Sequence, residues 1–239
     1  MIQLKDFSIG FHERILLDKV STDFLSAGLT ALIGRNGSGK STLLKAICGL
    51  NDNYSGEILI EGENLRKISK QKLAHTIAYV NTQRPRMANL KCFDVVALGR
   101  SPYTGWNGRL SAQDREIVGK ALETVKMTDY QSSYFSSLSD GESQKVMIAR
   151  ALAQDTPCIV LDEPTSFLDL PARYELVSLL KELVETQSKT ILYSTHELNI
   201  ALKLCDEIAL IDSPTLINLP ASQMLERLSS LNHPFSLFL

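Results

Sequence analysis

The sequence predicts an α/β fold built on a largely parallel sheet. Three observations predict it. Apolar runs of strand length alternate with helical patterns along the chain; a glycine-rich run, Gly34-Arg-Asn-Gly-Ser-Gly-Lys40-Ser-Thr42, stands between such a run and a helical pattern; and the apolar run Cys158 to Leu161 ends in two acids, Asp162 and Glu163. Strand ends are where open α/β sheets place ligands, so the glycines and the acids are the first candidates for a site.

In chain order, Ile2 to Phe7, Ile15 to Leu17, Thr22 to Phe24 and Glu57 to Ile60 read as short strands separated by turn residues, which predicts an antiparallel lobe beside the core. Leu29 to Ile33 is the apolar strand before the glycine-rich run. Thr42 to Leu50 carries Leu43, Leu44, Ala46, Ile47 and Leu50 at helical spacing, with Gly49 as a stop. Ser111 and Asp114 form a capping box for a helix running to about Met127, with Ile117, Val118, Ala121, Leu122 and Val125 on its apolar face. Residues 84–133 read as a helical insertion. Cys158 to Leu161 and Thr190 to Tyr193 read as buried strands, joined through a helix that Pro171 opens at its first turn. Ala221 to Leu231 is helix-like, and the apolar end Pro234 to Leu239 is either a small dimer-contacting piece or a shortened tail.

At 239 residues the chain is one large domain or a core with a smaller lobe. No apolar stretch approaches the roughly 20 residues of a membrane-spanning helix, and Met1-Ile2-Gln3-Leu4-Lys5-Asp6 lacks a signal peptide's apolar run, so a cytoplasmic location is expected. A net charge of −2 gives no general attraction to nucleic acid or anionic lipid; membrane association must come through a protein partner. Cys48, Cys92, Cys158 and Cys205 lie far apart without a C-x-x-C pair, and read as small buried hydrophobes.

The chemistry of the glycine-rich run is that of a phosphate-binding loop. Gly34, Gly37 and Gly39 let the backbone curl so that the N–H groups from Asn36 through Ser38 to Thr42 can point inward, and the following helix adds the positive end of its dipole. Lys40 reaches the β- and γ-phosphates of a nucleotide, and the Ser41 hydroxyl is a ligand for the bridging Mg²⁺. Asp162 is expected to hold the same Mg²⁺ through water, and Glu163 to polarise the water that attacks the γ-phosphate.

A third element decides the family. Leu138-Ser139-Asp140-Gly141-Glu142-Ser143-Gln144 resembles the signature motif of ABC-type ATPases. The resemblance covers about residues 2–212 and implies ATP and Mg²⁺ as cofactors, on a P-loop NTPase core of residues 1–83 and 134–212, an antiparallel β lobe and the helical insertion, with 213–239 as a tail. It also implies a head-to-tail homodimer in which Ser139 and Gly141 of one chain face the ATP held by Lys40 of the other. By the same resemblance, Gln83 matches the Q-loop glutamine that contacts Mg²⁺ and senses the membrane partner, Asp169 the D-loop aspartate that couples the two sites, and His196 the switch histidine that touches the γ-phosphate. Phe11 stands where the family has a tyrosine stacking on adenine; a Phe can stack equally well, and the alternative is that it simply packs the small lobe. Asp140 departs from the family's usual glycine and brings a carboxylate near a phosphate site; Ser143 departs as well.

The segment between Gln83 and the signature resembles that of importers of iron–siderophore, haem and cobalamin complexes, which implies a transmembrane permease as partner and, indirectly, a substrate-binding protein. Its charges Arg84, Arg86, Lys91, Arg100 and Arg109, with Tyr103 and Trp106 among them, predict a permease-docking groove on the inner face of the membrane. The alternative is a soluble ABC ATPase acting on ribosomes or nucleic acid. Only 55 residues lie between Gln83 and Ser139, too few for the coiled coils of DNA-repair members, and a single cassette differs from the paired cassettes of translation factors. Direct nucleic-acid binding is therefore not expected. A non-enzymatic nucleotide sensor would have lost a catalytic residue, whereas Lys40, Asp162, Glu163 and His196 are all present.

Overall fold

The computed structural model describes residues 2–11, 14–81, 89–105 and 108–230, and holds ten strands in two sheets. The strands are β1 (Ile2–Phe11), β2 (Arg14–Phe24), β3 (Leu29–Gly34), β4 (Tyr54–Ile60), β5 (Glu63–Asn64), β6 (Ile77–Val80), β7 (Cys158–Leu161), β8 (Thr190–Thr195), β9 (Glu207–Asp212) and β10 (Thr215–Pro220). The helices are α1 (Lys40–Ile47), α2 (Lys70–Ala74), α3 (Cys92–Ala97), α4 (Ala112–Thr124), α5 (Asp140–Ala153), α6 (Leu170–Gln187), α7 (Leu198–Leu204) and α8 (Ala221–Ser230).

Strands β2-β1-β4-β5 make the antiparallel sheet, and β10-β9-β3-β8-β7-β6 the core sheet, parallel from β9 to β6. Every residue of β3 and β7 is buried, as expected for strands covered on both faces. Successive side chains point to opposite faces: Leu29, Ala31, Ile33, Ile159 and Leu161 join a core with α4, α5 and α6, while Leu32, Val160 and Leu192 join a second core with α1, β1 and β2. The P-loop helix is thus pressed between the parallel sheet and the antiparallel lobe.

Local boundaries differ from the sequence reading where polar residues interrupt a pattern. Ile15–Leu17 and Thr22–Phe24 belong to one strand, β2, which continues through a register shift at the polar Asp18-Lys19 step: there the Lys19 N–H, at a residue with φ 48°, donates to Ser8 Oγ at 2.7 Å. Helix α1 starts at Lys40, two residues ahead of the apolar pattern, since Gly39 can take the left-handed conformation at its start. Helix α4 has the expected capping box, Ser111 with Asp114, and ends at Thr124.

Two expectations need correction. Residues 213–230, set apart as a tail, are built into the core: β10 pairs with β9 from Thr215 to Pro220, and α8 buries Met224 and Leu228. Pro234 to Leu239 lie outside the described residues. Arg100, counted among the docking charges, is only 5% exposed. Its Nε donates to Asp114 Oδ1 at 2.9 Å, its Nη1 donates to Ala153 O at 2.8 Å, and its guanidinium carbon lies 3.8 Å from the centre of the Tyr103 ring. Beside it, a Cβ on Gly99 would come within 2.2 Å of Arg150 O, so only glycine lets the backbones meet this closely. Arg100 is a tie between the helical insertion and the carboxyl end of α5, because Asp114 and an orphan helix carbonyl give its charge partners inside the fold.

Candidate functional site

The site lies at the carboxyl ends of β3, β8 and β7. Past the end of β3, Gly37 (φ 75°) and Gly39 (φ 102°) take left-handed conformations that turn the loop into the N-terminus of α1. A Cβ on Gly39 would lie 3.1 Å from that of Leu16, so β2 packs directly on the loop. Ser38 is buried beneath it, with its N–H donating to Arg35 O at 3.0 Å. The result is a cleft of about 580 Å³ lined by Arg14, Leu16, Asn36, Gly37, Gly39, Lys40, Ser41, Thr42 and Glu163.

Lys40 is 5% exposed; its Nζ donates to Gly34 O at 3.0 Å and lies 3.6 Å from Glu163 Oε1. Parallel pairing explains why residues so distant in sequence meet: Ile33 pairs with Thr195 and Leu161 with Tyr193, so the loop, the end of β8 and the two acids emerge side by side. Ser41 Oγ donates to Asp162 Oδ1 at 2.9 Å, and Ser194 Oγ donates to the same oxygen at 2.7 Å. Tyr79 OH faces Asp162 Oδ2 at 3.5 Å; burial, reinforced by the Asp162 charge, pushes the Tyr79 hydroxyl well above its ordinary value, so it stays protonated as a donor. The Glu163 N–H donates to Ser194 Oγ at 2.8 Å, and Ser166 Oγ donates to Glu163 Oε2 at 3.2 Å.

His196 follows β8, half exposed, with Nε2 3.1 Å from Glu197 Oε1, and Arg173 pairs with that same carboxylate. Asp169 caps α6, accepting from Ala172 N–H at 3.0 Å, beside Phe167, which is 81% exposed. Ser139 and Gly141 are not among the residues lining the cleft. Ser139 caps α5: Glu142 N–H donates to Ser139 Oγ at 3.3 Å, while Ser139 N–H and Oγ donate to Glu142 Oε2 at 2.8 and 2.7 Å. These bonds, with one from Tyr130, hold the Glu142 carboxyl below its ordinary range. Asp140 is exposed in the first turn of α5, where the helix dipole favours a negative charge. Gln83, Arg84, Arg86 and Trp106 lie outside the described residues, as does the side chain of Phe11, whose backbone closes β1 opposite Arg14.

Sequence reasoning passed over Arg14, Leu16, Tyr79 and Ser194. A signal for Ser194 existed, a small hydroxyl at the carboxyl end of a buried strand, two residues before His196; for Arg14 and Leu16 none did, since their place over the loop depends on the packing of two sheets.

The ABC transporter family profile matches residues 17–166. The chain belongs to the ABC transporter family. Similar ABC proteins include an uncharacterised ATP-binding protein of Methanocaldococcus jannaschii, 36% identical over 91% of this chain and 75% of the relative. The iron(3+)-hydroxamate import ATP-binding protein of Bacillus subtilis is 33% identical over 90% of this chain and 80% of its own length. Among solved structures, a chain of an inward-facing ABC transporter assigned to the metal-chelate type superposes with a TM-score of 0.85 at 27% identity, covering 96% of this chain and 88% of that one. A dimeric bacterial ABC cassette superposes with a TM-score of 0.79 at 27% identity, over 92% and 99% of the two chains. As an ABC ATPase cassette this chain binds nucleotide, and no helix among its described residues is long and apolar enough to cross a membrane.

Proposed function

We propose that this chain is the ATP-hydrolysing subunit of an ABC importer for a metal chelate, with a ferric siderophore as the best-supported cargo. The observation that carries the reading is the convergence of Lys40, Ser41, Asp162 and Glu163 at one end of the parallel sheet, beside a cleft large enough for a nucleotide. The importer assignment draws on relatives that carry petrobactin and iron(3+)-hydroxamate in their names; haem and cobalamin are less specifically supported.

The reading gives each candidate residue a role. The amides from Gly34 to Thr42 cradle the phosphates, Lys40 neutralises the β and γ groups, Leu16 lines the cleft beside the loop, and the stacking role on adenine is left to Phe11 by the family resemblance. Ser41 through its hydroxyl and Asp162 through water would hold Mg²⁺, oxygen donors of the hard kind this ion takes, with Gln83 as a further ligand. Bound there, Mg²⁺ would neutralise phosphate charge. Glu163 accepts the proton of the attacking water, and His196 holds the γ-phosphate. Ser139, Gly141 and Asp169 act across a head-to-tail dimer, and the cassette docks on a permease at the inner face of the membrane, supplied by a substrate-binding protein.

The test is uptake of radiolabelled ferric siderophore in cells lacking the chain. Restoration by the wild type and not by Lys40→Ala supports the reading; hydrolysis stimulated by ribosomes or DNA, with uptake unchanged, would replace it with a soluble ATPase.

A further inference from the structure

Ser194 has no exposed surface, and its one hydroxyl makes two bonds of opposite sense. It donates to Asp162 Oδ1 at 2.7 Å and accepts from the Glu163 N–H at 2.8 Å. It therefore grips one acid by the side chain and the next by the backbone. Glu163 sits at φ 47°, a left-handed conformation uncommon for a residue with a Cβ, and the bond from its N–H to Ser194 helps to hold that turn. The same turn brings the Glu163 carboxylate within 3.6 Å of Lys40 Nζ. Asp162 Oδ1 accepts from Ser41 on the loop side and from Ser194 on the β8 side, so two elements together fix the rotation of the carboxylate.

We infer that Ser194 is a positioning residue for the metal–nucleotide complex: it sets the Asp162 carboxylate against Ser41 and ties the Glu163 turn to β8, the strand that leads into His196. The inference rests on the reading of Asp162 as a holder of the metal. Removing the hydroxyl deletes a donor to Asp162 and leaves the Glu163 amide without its buried acceptor. Partners behind a metal ligand commonly govern metal affinity by about 10–100-fold. Nucleotide held without metal depends on the loop amides and Lys40, none of which Ser194 touches.

The experiment compares wild type, Ser194→Ala, Ser194→Cys and Ser194→Thr in the full chain. Two quantities are measured: Mn²⁺ affinity in the presence of a non-hydrolysable ATP analogue, by the spin resonance of the free ion, and affinity for the same analogue in EDTA. Ser194→Ala should bind Mn²⁺ at least roughly tenfold more weakly, with the EDTA affinity changed less than about twofold, and Ser194→Thr should recover most of the loss. If the alanine variant does not fold, Ser194→Cys, near in size with a weak donor, should show the same direction of change. Wild-type Mn²⁺ affinity in either folded variant overturns the inference, and so does an equal loss with and without metal. A wild-type chain that binds the analogue no more tightly with Mn²⁺ would instead overturn the reading of Asp162 itself.

Discussion

Lys40 Nζ stands 3.6 Å from Glu163 Oε1 across the nucleotide cleft, an ammonium and a carboxylate brought together from opposite halves of the chain. The pair joins the two ends of the proposed chemistry: the cation that receives the phosphates and the base that receives the proton. Under that proposal a triphosphate lying along the loop would compete with Glu163 for Lys40, which would free the carboxylate to meet water.

Lys40→Ala should therefore weaken ATP binding by roughly 10- to 100-fold, the loss expected for a charge-assisted hydrogen bond to a phosphate. Equilibrium titration of the folded variant with labelled ATP checks it; unchanged affinity would limit Lys40 to its bond with Gly34 O.

Glu163→Gln keeps the size of the side chain and removes its ability to take a proton. Turnover should fall by roughly 10²–10⁴-fold while ATP still binds, and the trapped ATP should hold two chains together. Light scattering with Mg²⁺-ATP reads the second effect. A variant that turns over normally, or stays monomeric with ATP bound, excludes Glu163 from this role.

Hydrolysis by the wild type should rise per subunit with protein concentration, because Ser139 and Gly141 do not line the cleft of their own chain. A rate that stays flat while the association state changes would mean that the site is complete within one chain.

Arg100→Met should destabilise the fold by about 1.5–3 kcal/mol, since the Asp114 carboxylate loses its cation and keeps only its bonds from Ser111. Urea unfolding measures it. Hydrogen bonds from the Ser111 side chain and backbone, with help from Arg100, lower the Asp114 pKa to about 2 in the fold. A depressed carboxyl stabilises fully above its unfolded value, near 3.9, and loses that contribution as pH falls through its folded value. Stability of the wild type should drop between about pH 4 and pH 2 more steeply than that of Asp114→Asn, and equal slopes would contradict this. Docking is then better probed at Arg109, which is exposed: Arg109→Glu should reduce coupled transport and spare basal hydrolysis.

The sequence alone determined the fold class, the phosphate loop, the acids after β7 and the cap of α4, because each depends on local spacing: glycines that permit left-handed turns, apolar runs of strand length, a serine three residues before an aspartate. Tertiary structure decided the rest. Ser41, Asp162 and Ser194 share one carboxylate oxygen only because β3, β8 and β7 are neighbours in register, and no local pattern encodes strand order. Arg100 looked like a surface charge because its partners, Asp114 and the carbonyl of Ala153, are 14 and 53 residues away, and burial of a charge depends on what packs around it rather than on its neighbours in the chain.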